Sequence, residues 1–329
     1  MSNSPFLSNC AADTIREAAE ALKAGHLVAF PTETVYGLGG DARNPEAIKR
    51  IYEVKGRPTN HPLIVHISSI NQLDKWASEI PEYAIALARA FWPGPMTLIL
   101  KRTHMAGNFI TGGQESVGLR VPSDPIALAL IQEFEKISNS AIAAPSANRF
   151  GQVSPTSSLD VYEELGEYFS DSDIVLNGEN SSIGIESTII DCTTEHPRIL
   201  RSGFVGIEDV ENETGIKCER PQVISNVKFS GSFEKHYAPK CKVKLHENIQ
   251  HSDLLSHQSG FLALDDVETP SGMLRLASPQ SLEEFAQILY STFREADRLG
   301  MEFLVVSPPS NLGFGVAIRE RIEKAAAGR

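Results

Sequence analysis

The chain has 329 residues, 41% of them hydrophobic and 22% charged. That is the balance of a soluble globular protein, and the length allows two domains with a core in each. A formal net charge of -12 argues against tight non-specific binding to nucleic acid, which needs a surplus of Lys and Arg.

Ile15, Ala18, Ala19 and Leu22 fall at helical spacing and predict an amphipathic helix over residues 13–23, with Gly25 just past its end. A short apolar strand, 27–30, runs into Pro31-Thr32-Glu33-Thr34-Val35-Tyr36-Gly37-Leu38-Gly39-Gly40, a turn rich in hydroxyls and glycine. A helix follows, with Asn44 as N-cap and Pro45 at its first position. It leaves through Lys55-Gly56-Arg57-Pro58 into a second apolar strand, 63–67. Residues 70–91 hold two helical stretches broken near Pro81. A turn at 92–95 leads to a buried strand, 96–100, and a further strand spans 117–121. Asp124 caps a helix over 125–135, and a short strand, 141–144, stops at Pro145-Ser146-Ala147-Asn148. Strands at 174–176, 187–191 and 198–200 complete the run.

Strands outnumber helices here, and several neighbours are too close for an intervening helix. The expectation is an α/β fold, a twisted mixed sheet with flanking helices. From Gly206 to about Lys240 the pattern loosens into a linker longer than ordinary loops, hence functional or packed against something. Beyond it, strands at 243–245, 261–264, 274–276 and 303–306 alternate with helices at 281–299 and 316–327. That pattern predicts a smaller three-layer α/β domain of Rossmann-like type with a largely parallel sheet. The expected division is 1–205 for a catalytic domain, 206–240 for a linker or lid, and 241–329 for a C-terminal domain.

Cys10, Cys192, Cys218 and Cys241 are scattered and form no CxxC pair, so neither a zinc site nor a disulfide framework is expected. The first residues lack the basic start and apolar centre of a signal peptide, and no apolar run reaches spanning length. A cytoplasmic location without a membrane partner is the expectation.

The chemistry gathers in a few places. Glycines let the backbone approach a ligand, and the hydroxyls and free N–H groups of 31–40 can bind a carboxylate or phosphate, although a plain strand-to-helix connection looks the same. Lys55 and Arg57 join a point charge to a planar fork, a pair suited to a triphosphate. Small polar side chains at 144–148 and at Val153-Ser154-Pro155-Thr156 can complete a nucleotide pocket. His66 alternates with Val65 and Ile67 on its strand, where a lone histidine is more often structural. Arg120 and Arg201 sit in or beside apolar strands and call for partners, because an unpaired buried charge is costly. His236-Tyr237-Ala238-Pro239 closes the linker. No Walker A sequence, GxSxG, HExxH or dinucleotide fingerprint is present in its proper context.

In this order, PTETVYGLG, KGRP, SAN and SPT resemble the L-threonylcarbamoyladenylate synthases, the YrdC-like family, in the long form with an additional C-terminal domain. The resemblance resumes at Ser187-Thr188-Ile189-Ile190-Asp191, Leu200-Arg201-Ser202-Gly203 and the His-Tyr-Ala-Pro segment. It implies a nucleotidyltransferase that joins L-threonine, bicarbonate and ATP into threonylcarbamoyl-AMP and releases pyrophosphate. This is the first step of threonylcarbamoyladenosine formation in tRNA, completed by a separate threonylcarbamoyl transferase complex. It implies Lys55, Arg57, Ser146 and Asn148 as the catalytic quartet, and Thr34, His66 and Arg120 as threonine contacts. ATP contacts carry over to Arg57, His61, Ser146, Ser154, Arg201 and Tyr237. Magnesium is expected on the triphosphate rather than in a protein cage. Stable tRNA binding is not expected.

Two departures stand out. Many members have Asn where His61 stands, and Pro-Gly where Ser230-Gly231 stands. The alternatives are a non-catalytic RNA-binding module using Lys55, Arg57, Lys101 and Arg102, and a related carbamoyl-adenylate transferase with another acceptor.

Overall fold

The structure is a computed structural model that describes residues 6–7, 12–219, 228–229, 231, 236–248 and 258–328. Cys10, Ser230 and most of 220–235 therefore lie outside the described residues.

The chain opens with β1 (Phe6–Leu7), α1 (Ala12–Lys23), β2 (Val28–Phe30), β3 (Gly37–Asp41), α2 (Pro45–Lys55) and β4 (Ile64–His66). Asn44 caps α2 as its sequence predicts, accepting from the N–H groups of Glu46 and Ala47. Gly56, at φ 61°, ends the helix in the left-handed conformation and turns the chain so that Lys55 and Arg57 diverge. Next come α3 (Leu73–Trp76), β5 (Ala77–Ser78), α4 (Glu82–Phe91), β6 (Met96–Arg102), α5 (Asn108–Thr111), β7 (Ser116–Arg120) and α6 (Pro125–Ser138), whose cap is Asp124. The first domain continues through β8 (Ile142–Ala143), α7 (Ser158–Leu165), β9 (Ile174–Leu176), β10 (Thr188–Asp191), β11 (Arg198–Arg201) and α8 (Ile207–Thr214).

Strands β1 to β11 form one mixed sheet in the order β1-β9-β2-β3-β8-β4-β7-β6-β10-β11, with β5 on the flank of β6. Helix α1 packs on α6, and α4 on α8. The rest of the chain supplies β12 (Lys242–Leu245), β13 (Ser259–Leu262), β14 (Leu274–Ala277), α9 (Leu282–Arg298), β15 (Phe303–Val306) and α10 (Gly315–Ala326). Its four strands are parallel throughout, in the order β12-β15-β13-β14.

Besides the short β1, β5 and α5, three elements differ from the sequence expectation. The glycine-rich turn holds a strand, β3, antiparallel to β2. Glycine is needed there because a Cβ on Gly39 would lie 2.7 Å from Ile142 and 2.9 Å from Phe30. Helix α7 follows a capping box in which Ser157 and Asp160 satisfy each other's backbone N–H groups. The stretch read as an aperiodic linker from Gly206 begins with α8, whose Val210 is buried against the first domain. The contrast with a free linker is physical: α8 buries apolar surface, so residues 207–214 are part of a core.

Candidate active site

The first wall is set by strand register. β4 pairs parallel with β7 and antiparallel with β8, which puts His66 beside Arg120 on one side and Ile142 on the other. His66 is buried with its ring edge-on to Phe30 at 6.0 Å. Burial first, then the Arg120 charge, push its pKa down to about 3, so the ring is neutral at physiological pH. Arg120 is buried and paired, as its place in an apolar strand predicts. Its Nη2 donates to Glu33 Oε1 at 2.8 Å, and Glu33 Oε2 accepts from the Ser123 N–H at 3.1 Å. Thr32 holds the loop before β3: its hydroxyl donates to the Val35 carbonyl at 2.7 Å and lies 2.9 Å from the Thr34 hydroxyl.

The second wall joins the segments that the sequence keeps 91 residues apart. Lys55 Nζ donates to the Ser146 carbonyl at 2.5 Å and to the Asn148 carbonyl. The return bond runs from the Phe150 N–H to the Lys55 carbonyl at 2.8 Å. Ser146 Oγ donates to Asn148 Oδ1 at 2.6 Å, and Asn148 Nδ2 donates to the carbonyls of Arg149 and Gln152. The turn is also hooked to β3, through Leu38 N–H to Pro145 O and Ala147 N–H to Tyr36 O. The Lys55 ammonium is thus committed to backbone carbonyls. Burial, then Arg57, hold its pKa well below the usual lysine value. Arg57 is buried too, and donates through Nη2 to the Pro62 carbonyl at 3.0 Å. Burial lowers its pKa to about 10, which leaves it charged. The His61 ring lies 6.1 Å from Phe150, itself 6.2 Å from His236. Burial, then Arg57, depress His61 to about 4.

The third wall comes from β10, β11 and the linker's end. Arg201 donates to the Ser187 carbonyl at 3.0 Å and to its hydroxyl at 3.1 Å. Ser154 donates to Glu186 Oε1 at 2.7 Å. Tyr237 is buried with φ at 62°, a conformation that costs a non-glycine residue energy and recurs at functional sites. Its ring lies 4.1 Å from His236 and stacks on Tyr290 at 5.6 Å. Burial holds the His236 pKa down at about 3.

These walls enclose a cleft of about 480 Å³ of empty space, open to solvent. Thr34, His66, Arg120, Ser146, Arg201 and Tyr237 all line it. Lys55, Asn148 and Ser154 stand one hydrogen bond behind that lining. Arg57 and His61 are not part of that lining, although Arg57 is close enough to feel the Arg201 charge. Glu33, Glu186, Ser187 and His236 belong to the cleft or its support and were not among the candidate site residues. The signals for them were the Glu inside Pro-Thr-Glu-Thr and the carboxylate directly before an apolar strand. Among the described residues, Arg57 Nε, His66 Nδ1, Arg120 Nε, His236 Nδ1 and Tyr237 Oη are buried without a hydrogen-bond partner. No group of three or more His, Cys, Asp or Glu residues among them is arranged to hold a metal ion.

Comparison with known proteins identifies the family. The Sua5/YciO/YrdC family model, described as Telomere recombination, matches residues 20–203. The chain belongs to the Sua5/YrdC family. A second model, described as the threonylcarbamoyl-AMP synthase C-terminal domain, matches residues 205–327, which makes this the long form. A Pyrococcus abyssi relative named threonylcarbamoyl-AMP synthase is 37% identical, covering 96% of this chain and 94% of its own. A Bacillus subtilis relative of the same name is 38% identical, covering 96% and 93%. The solved structure of P. abyssi Sua5 complexed with L-threonine superposes with a TM-score of 0.87 at 35% identity, covering 98% of each chain. Escherichia coli YciO, at 22% identity and a TM-score of 0.53 over 62% of this chain, shares the fold of the first domain.

Proposed function

We propose that this chain is a threonylcarbamoyl-AMP synthase, condensing L-threonine, bicarbonate and ATP with release of pyrophosphate. The observation that carries the proposal is the convergence of Thr34, His66, Arg120, Ser146, Arg201 and Tyr237 on one cleft. Buried polar atoms without partners are rare in proteins, and five of them around one cleft favour a polar ligand there. The names of the relatives and the threonine complex of a close structural match support the same reading.

In the proposed reaction the threonine carboxylate lies against Arg120, which Glu33 holds in place. The Thr34 hydroxyl and the neutral His66 ring position the amine and side-chain hydroxyl. The amine adds to the carbon of bicarbonate-derived CO2 and loses a proton, giving a carbamate. A carbamate oxygen then attacks the α-phosphorus in line, and the bond to the pyrophosphate oxygen breaks. Arg57 and Arg201 offset the charge that develops on the phosphates. Lys55 and Asn148 act one step back by fixing the turn that presents Ser146. Magnesium would enter with the triphosphate and offset part of its charge, without needing a cage of protein ligands. Glu186, the carboxylate that lines the cleft among the described residues, is spent on Ser154, Tyr290 and Arg321. Tyr237 and the linker's end cover the cleft and shield the mixed anhydride from water. The product then passes to a threonylcarbamoyl transferase complex acting on tRNA, in the cytoplasm.

The test is to mix the protein with labelled ATP, bicarbonate and each amino acid in turn. Pyrophosphate formed only with threonine and bicarbonate together is the expected result. Pyrophosphate with another amino acid reassigns the acceptor, and RNA binding without turnover rejects a synthase.

A further inference from the structure

Glu186 is the one carboxylate among the described residues lining the cleft. A bare carboxylate there would repel a triphosphate and compete with it for the nearby cations. The structure instead covers Glu186 with groups from the C-terminal domain. Arg321 of α10 donates through Nε to Glu186 Oε2 at 3.0 Å and through Nη2 to the Glu186 carbonyl at 3.4 Å. Tyr290 of α9 donates to Oε2 at 3.0 Å. Arg321 is fully buried, and its guanidinium also stands 5.6 Å from the Tyr237 ring. The position is unusual for a cation. Ala317, Ile318, Ile322 and Ala325 form the apolar stripe of α10, and Arg321 sits in the same stripe. A buried guanidinium in such a stripe is kept for its partner, not for packing.

We infer that Arg321 is a positioning residue of the nucleotide site: it neutralises Glu186 and holds that carboxylate back from the phosphates, so that the C-terminal domain completes a cleft whose ligand-facing residues belong to the first domain and the linker. This rests on the synthase reading for the identity of the nucleotide. Electrostatics agree with the geometry. Burial would raise the Glu186 pKa, yet Arg321, then Arg201, bring it down to about 2, so the group is a carboxylate at every working pH. Threonine binding is assigned instead to His66 and to Arg120, whose partner is Glu33.

The experiment uses the full chain and compares wild type with R321Q, R321K and the double variant E186Q/R321Q. Binding of ATP and of L-threonine is measured separately by calorimetry, alongside thermal melting. R321Q is expected to weaken ATP about tenfold or more while threonine binding stays within about twofold. R321K, which keeps the charge, recovers part of the loss. E186Q/R321Q removes both charges and returns ATP binding to within about threefold of wild type. ATP affinity unchanged in folded R321Q overturns the inference, and so does a parallel loss of both ligands. If R321Q does not fold, the double variant decides: folded protein that still fails to bind ATP is a refutation. Wild-type protein that binds ATP but makes no pyrophosphate rejects the synthase reading and leaves these binding tests in force.

Discussion

Replacing Lys55 with methionine separates two roles that the sequence could not distinguish. The ammonium donates to the carbonyls of Ser146 and Asn148, and the side chain is buried. Methionine preserves most of the shape and removes both donors. Each buried carbonyl left without a partner costs about 1–3 kcal/mol. Part of that is offset, because an ammonium whose pKa lies well below normal is itself costly to bury. A net loss of about 2–3 kcal/mol is expected, or about 4–10 °C in Tm for a cooperative unit of this size. The turn carrying Ser146 loses its anchor to α2, and a displacement near 1 Å at a reacting centre lowers kcat about a hundredfold. Pyrophosphate release and thermal melting, measured on the same preparation, check both halves. If K55M melts like wild type and loses only ATP affinity, Lys55 contacts the phosphates directly and its anchoring role is refuted. The ammonium bridges two segments of the core, so stability and turnover are expected to fall together.

Three further outcomes are expected. The folded-state pKa values of His66 and His236 are about 3, against about 6.5 in the unfolded chain. Their contribution to stability is therefore complete above pH 6.5 and lost as pH falls toward 3, about 2 kcal/mol for each by pH 5. A Tm that holds steady from pH 7 to pH 5 would contradict neutral, buried rings. R120K keeps the charge but not the fork held by Glu33, so threonine affinity falls about tenfold while ATP affinity stays within about threefold. Calorimetry with each ligand decides, and equal losses would remove Arg120 from the threonine subsite. G184A places a Cβ 2.4 Å from the Gln287 Cα and 2.5 Å from the Ala286 carbonyl oxygen, where β10's approach passes helix α9. Overpacking of this kind costs about 1–3 kcal/mol. The seam between the domains should loosen and ATP binding weaken, and a wild-type Tm for this variant would mean that α9 yields without cost.

Most of the architecture was legible because periodicity and caps were strong where burial was regular. Asn44 and Asp124 announced α2 and α6, and alternating apolar runs announced the central strands. The misses have physical causes. Strand β3 is rich in glycines that intrinsic preference assigns to turns, and pairing with β2 and β8 makes a strand of them. Helices α7 and α8 are eight residues each, too short for periodicity to stand out. Of the cleft, the hydroxyls and cations were visible as types but not as partners. Nothing local says that Arg120 meets Glu33, 87 residues away, or that Glu186 meets Arg321, 135 residues away. The one local signal for Arg321 was its place among Ala317, Ile318 and Ile322, a cation in an apolar stripe.

The same pairings explain how a chain of net charge -12 can present a cleft for a triphosphate. Net charge describes the surface and long-range steering, whereas binding is decided by which buried charges are already matched. Among the described residues, the acids at the cleft and behind it are answered: Glu33 by Arg120, and Glu186 by Arg321 and Tyr290. The Lys55 ammonium is answered by carbonyls, which are neutral, so its charge remains in the local field when it is protonated. Arg57 likewise donates to a neutral acceptor, the Pro62 carbonyl. Neutral acceptors fix a cation's direction without cancelling its charge. Arg57, and Lys55 when protonated, therefore lend the cleft a positive field from groups that are already immobilised.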